Sequence, residues 1–148
     1  MAAGVSRRAI TDAIESRLRS DAPRVNIYVG EVPDTPPTDP DGRVHVYAVL
    51  YPGPGTSTQD RLVPIVDGLL WTGQVTCVGG DVTRCLACAD AVADALTGST
   101  LEIPGVLTGY MRELGDPGPA REDRDARPSR WFLPLTYQLH ATRRVTGA

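Results

Sequence analysis

Apolar residues recur along this chain with two different periods, one helical and one of strands. Over residues 6–19, Ile10, Ala13, Ile14 and Leu18 share a stripe opposite Arg8, Asp12, Glu15 and Arg19, the spacing of an amphipathic helix. Ser6 is placed to cap it, and Pro23 ends it by forcing Ala22 out of the helical region. Residues 25–29 then alternate as a short strand. Residues 43–51 alternate more clearly, with Val44, Val46, Ala48 and Leu50 against His45, Tyr47, Val49 and Tyr51. A further strand over residues 71–78 ends in Gly79-Gly80. Asp81 or Thr83 then caps a second helix whose inward face reads Val82, Cys85, Leu86, Ala89, Val92, Ala93 and Leu96, with Gly98 as its stop. Residues 105–112 and 131–142 predict two more strands. In the last, Trp131, Leu133, Leu135, Tyr137, Leu139 and Ala141 alternate against Phe132, Pro134, Thr136, Gln138 and His140. Pro134 cannot donate to a ladder, so it implies an edge or a bulge.

The segments between these elements are long and polar. Residues 30–42 hold four prolines, four acids and no basic residue, the composition of an extended, mobile surface loop. Residues 52–55, Pro-Gly-Pro-Gly, mark a turn, and residues 61–70, interrupted by Pro64 and Gly68, fit neither period. Residues 113–129 form a second polar stretch in which acids and arginines nearly cancel; it predicts a hairpin tip reaching beyond the domain body. No internal repeat is visible. The fold class is therefore α+β: a single domain over residues 1–148, with a mixed or antiparallel sheet flanked by two main helices and long hairpin loops.

Composition narrows the function. A chain of 148 residues and 15.8 kDa, 41% hydrophobic and 22% charged, can bury one core without disulfides or a metal. The net charge of −3 opposes electrostatic nucleic-acid binding. All 15 basic residues are arginine, which removes lysine-dependent chemistry. The absence of any apolar run near the roughly 20 residues that cross a bilayer, and of an apolar signal core, predicts a soluble, unexported protein without membrane contact. Three cysteines, Cys77, Cys85 and Cys88, cannot all pair within one chain and predict reduced thiols in a cytoplasm.

No catalytic constellation emerges. Cys85-Leu-Ala-Cys88 has the spacing of a metal or redox pair, yet it lies inside a helix rather than at its N-terminus, and free cysteine commonly packs in cores. His45 and His140 have no glycine-framed nucleophile to serve. Gly79-Gly80 precedes a helix, but Asp81 puts negative charge where a phosphate would sit. The expectation is a protein that is not an enzyme, with no catalytic, cofactor-binding or metal-binding residues. A small thiol-dependent or ligand-binding enzyme is the competing class, and it requires Cys85 and Cys88 to be exposed.

Several stretches together carry a resemblance covering nearly the whole chain. They are the N-terminal helix ending near Arg19, the strand over residues 44–51, and Trp71-Thr-Gly-Gln74-Val-Thr-Cys77-Val-Gly79 leading into the Ala-rich helix. The last is Trp131-Phe-Leu-Pro134-Leu-Thr-Tyr137-Gln-Leu-His140. In these the chain resembles the tail terminator proteins of long-tailed, siphovirus-type phages of high-G+C actinobacteria. The resemblance implies a homo-hexameric ring on the head-proximal end of the tail tube, made in the host cytoplasm and carried in the virion. Its implied partners are itself, the tail tube protein and the head-tail connector or stopper, with DNA passing through the lumen without specific binding. It carries no catalytic residues and no cofactor. In such a ring Arg121, Glu122, Asp123, Arg124, Asp125 and Arg127 are the candidate subunit or tube interface, and Glu31, Asp34, Asp39 and Asp41 the candidate lumen loop. Another neck protein, a stopper or adaptor, is the nearest alternative.

Overall fold

The computed structural model describes residues 4–59 and 66–144. In chain order these form α1 (Arg7–Asp21), β1 (Asn26–Val29), β2 (Tyr47–Pro52), β3 (Thr56–Gln59), β4 (Val66–Gly79), α2 (Val82–Leu96), β5 (Val106–Thr108), β6 (Arg112–Leu114), β7 (Arg121–Asp123) and β8 (Arg130–Arg143). The α+β class is as expected. β4 and β8 are the spine, antiparallel and in register from Gly68 opposite Thr142 to Gly79 opposite Trp131. On one side of β4 lie β2 and β3, in effect one strand broken at residues 53–55. On the far side of β8 lie β5, β6 and β7 in succession, likewise one interrupted strand. β1 adds in parallel outside β2, which makes the sheet mixed.

Alternation in the two long strands sorts their side chains. Leu69, Trp71, Val75 and Cys77 of β4 and Leu133, Leu135, Tyr137, Leu139 and Ala141 of β8 join Ala48 and Leu50 beneath the two helices. Ile10, Ile14 and Leu18 descend from α1, with Cys85, Cys88, Val92, Ala95 and Leu96 from α2. A smaller cluster of Val44, Tyr47, Val49 and Val78 occupies the opposite face of the sheet, against Tyr28 and Phe132. The caps are those the sequence offers: Ser6 Oγ accepts from the Ala9 N–H at 3.1 Å, and Asp81 from the Arg84 N–H at 2.8 Å.

Several local readings change. Val82 and Leu86 are 40% and 47% exposed, so α2 is rotated slightly from its expected orientation and buries Cys88 and Ala95 alongside the expected Cys85, Ala89, Val92 and Leu96. The small thiols and alanines let the helix approach the sheet closely. Gly79 serves the same contact, since a Cβ there would lie 2.4 Å from the Cys85 backbone nitrogen. The strand expected over residues 105–112 is split. At its break the Gly109 N–H donates to His140 O and the Met111 N–H to Ser99 O, which turns Met111 into the core. The polar stretch 113–129 contains β7 as well as the end of β6. β8 is not an edge strand, yet Pro134 falls between its segment paired with β6 and that paired with β7, where no outer ladder runs. Of the unassigned segment 61–70, residues 66–70 belong to β4, and the remainder lies outside the described residues.

Candidate interaction surfaces

The acidic stretch divides into two parts. Glu31 and Asp34 are exposed and make no ion pair among the described residues. Residues 37–45 instead fold back on themselves, with the Asp39 N–H donating to Arg43 O and the His45 N–H to Pro37 O. Asp39 and Asp41 are drawn into a network at the start of α2. Arg84 reaches Asp41 at 2.6 Å and Asp39 at 3.7 Å, and Arg43 reaches Asp81 at 3.0 Å. Hydrogen bonds from the Arg84 guanidinium, then from the Arg43 N–H, hold the Asp41 carboxyl below its usual range; Asp41 in turn raises Arg84. His45 lies within this group, its Nδ1 2.7 Å from Asp39 and its Nε2 2.9 Å from Arg24 O. The two ends of one acidic loop are thus different surfaces, one free and one internally paired.

The charged hairpin is also partly organised from within. β7 pairs with β8 from Arg121 opposite Phe132 to Asp123 opposite Arg130. Glu122 accepts from Ser129 Oγ at 2.9 Å and pairs with Arg124 at 3.2 Å. The Asp125 N–H donates to Asp123 Oδ1 at 3.2 Å, and Arg127 to Arg124 O at 2.9 Å. Arg121, Arg124, Asp125 and Arg127 are exposed, while Glu122 and Asp123 are half-buried.

One polar site escaped the sequence reading. Arg130 is only 9% exposed, and its Nη1 donates to Tyr47 Oη at 2.8 Å. Its Nε is buried without a partner, and no carboxylate among the described residues lies within ion-pair distance. Burial raises the Tyr47 hydroxyl above its ordinary value against the lowering effect of Arg130, so the phenol stays protonated. The signal was present in the alternation: continuing β8 back from Phe132 by two residues puts an arginine on the same face.

The cysteines form a buried group. Cys77, Cys85 and Cys88 are free and no more than 1% exposed, which removes the condition for a thiol-dependent enzyme. Cys85 Sγ donates to Cys77 O and Cys88 Sγ to Tyr47 O, each at 3.4 Å. Burial pushes the Cys85 thiol up to about 12. Cys77 is raised as well, by its contact with Cys88 and then by burial. The Cys77 contact lowers Cys88 in turn, against burial, and all three thiols are shut away from solvent. Among the described residues His140 hydrogen-bonds Thr58 Oγ1, at 3.2 Å, and neither histidine pairs with a cysteine or serine there.

No protein-family model matches the chain, and no curated protein sequence does. Two solved structures are similar to it along nearly their whole lengths. One, from the virion of a native gene transfer agent particle, is 17% identical with a TM-score of 0.61, covering 91% of this chain and 96% of its own. The other is 19% identical with a TM-score of 0.50, covering 98% of this chain and 100% of its own. At these identities the likeness is one of fold: this chain has the end-to-end architecture of a protein found in a gene transfer agent virion.

Proposed function

We propose that this chain is a structural protein of a tailed phage or phage-like particle, and that it acts as the tail terminator. Six copies form a ring on the head-proximal end of the tail tube, stop its polymerisation and present the surface to which the head connector or stopper joins. The observation that carries this reading is the likeness of fold to a protein of a gene transfer agent virion, over 91% of this chain and 96% of that one. The resemblance of the sequence to tail terminators supplies the specific position.

The surfaces support the same reading. The sheet face turned away from the helices carries Thr72, Gln74 and Thr76 of β4 beside Thr136 and Gln138 of β8, half-buried and uncharged, with the exposed Arg112 of β6 opposite Gln138 at its margin. The uncharged centre of this face holds no phosphate-binding group, which suits a channel through which DNA slides. Glu31 and Asp34 are the free carboxylates of the lumen loop, whereas Asp39 and Asp41 are already paired. The exposed arginines of the β7–β8 hairpin offer bidentate donors to a neighbouring subunit or to the last tube ring.

Electron microscopy of the purified chain added to growing tail tubes tests the proposal. Six-fold rings at one end of tubes that no longer lengthen are expected. Tubes that grow unchanged, or a stable two-fold dimer in assembled particles, overturn it.

A further inference from the structure

Both ring nitrogens of His45 meet acceptors. Nδ1 lies 2.7 Å from Asp39 Oδ1, and Nε2 lies 2.9 Å from the carbonyl oxygen of Arg24. A neutral imidazole carries a single N–H, so in that form one of these contacts sets a lone pair against an oxygen, whereas the imidazolium donates to both. The charge around the ring agrees with the second form. Three carboxylates, Asp39, Asp41 and Asp81, face two guanidiniums, Arg43 and Arg84, in one network that a cationic His45 brings to balance. Arg84, from α2, stands 3.7 Å from the other oxygen of Asp39, and Arg24, itself exposed, offers its carbonyl. The two anchors of the ring are apart in sequence: Arg24 leads into β1, and Asp39 belongs to the fold-back of residues 37–45. Between them runs the exposed stretch that carries Glu31 and Asp34.

We propose that His45 is a proton-operated clasp at the base of the acidic loop. Protonated, the ring ties Asp39 to the Arg24 carbonyl and closes the loop where its two ends approach. When it gives a proton to water, it keeps the Nδ1–H for the carboxylate, the stronger acceptor, and Nε2 then turns a lone pair on Arg24 O, which parts from it. The closed form is therefore the low-pH form, and it gives way as pH rises through the range in which imidazoles titrate, where carboxylates and guanidiniums keep their charges. The fold-back outlasts the opening, because the Thr38–Val44 bridge and the Arg84–Asp41 pair do not involve the ring. What changes is the tie between that fold-back and the approach to β1, and with it the freedom of the segment bearing Glu31 and Asp34. This device is independent of the assembly proposed above.

Nitrogen NMR of the imidazole and amide hydrogen exchange, both on the full chain at about pH 5.5 and about pH 8, bracket the imidazole range and test the clasp. Both His45 nitrogens should carry protons at the lower pH and Nδ1 alone at the higher. After correction for the intrinsic effect of pH on exchange, the amides of Val25, Asp39 and His45, which donate to Ala22 O, Arg43 O and Pro37 O, should exchange about two- to fivefold faster at the higher pH, the range of a partly exposed ion pair. His45→Gln should remove this response and Asp39→Asn should reduce it. His140→Gln should leave it intact, since that ring meets Thr58 instead. A His45 ring with one proton at the lower pH would overturn the proposal on the wild-type chain alone. So would a response that persists in His45→Gln, one that is undiminished in Asp39→Asn, or one that disappears in His140→Gln.

Discussion

The orientation of α2 can be tested with two leucines that occupy the same helix and differ in burial. Leu96 is 0% exposed and Leu86 is 47% exposed, although the spacing of apolar residues along the sequence puts both on the inward face. Leu96→Ala removes three buried carbons, about 2.4 kcal/mol of transfer free energy at ~0.8 kcal/mol each. A residual cavity of roughly 60 Å³ adds about 1.5 kcal/mol at ~24 cal/mol per Å³, for a total near 4 kcal/mol. Leu86→Ala loses about half the transfer term and leaves no cavity, while alanine's higher helix propensity returns a few tenths of a kcal/mol. Its net cost should stay below about 1 kcal/mol. Urea unfolding followed by far-UV circular dichroism measures both, provided m is unchanged so that midpoint shifts report stability. At about 2–4 °C per kcal/mol for a chain of this size, the Leu96 variant should also melt roughly 8–16 °C lower. Equal costs at the two positions would refute the observed rotation of the helix.

Three further outcomes follow from particular contacts. Gly73→Ala should destabilise the fold strongly, because its Cβ would lie 2.3 Å from Trp71 Cζ2 and that ring is fixed in the core; a thermal melt within a degree or so of wild type would contradict this. The Asp41 carboxyl titrates lower in the folded chain than its ordinary 3.8, so its contribution is present above that value and lost as pH falls through the folded one. Asp41→Asn should remove this part of the acid dependence, read as a flatter plot of unfolding midpoint against pH below about 5. Cys77, Cys85 and Cys88 should react with an aromatic disulfide reagent only after denaturant is added, and rapid labelling of the native protein would contradict their burial.

The elements governed by strict alternation were legible in the sequence. The β8 pattern from Leu133 to Ala141 matches the buried face residue for residue, because a period of two permits only two assignments. The α2 face was harder to read. A helical period allows small rotations: Cys85, Ala89, Val92 and Leu96 are buried as expected, but taking Val82 and Leu86 in place of Cys88 and Ala95 displaced the face, because close approach to the sheet favours small side chains. The short strands β5, β6 and β7 carry little alternation of their own and exist because β8 supplies a template. Among candidate interaction residues, sequence marked where charge is concentrated but not which charges cancel. Asp39 and Asp41 meet Arg84 from more than 40 residues away, a pairing no local pattern encodes. Arg130 was hidden for the same reason, its partner Tyr47 lying 83 residues earlier.

The claim that this chain caps a tail is tested most directly by electron microscopy of particles assembled without it. The account predicts overlong tails or tails and heads that fail to join, with the normal phenotype restored when the chain is supplied. Tails of normal length, joined to filled heads in normal yield, would contradict it.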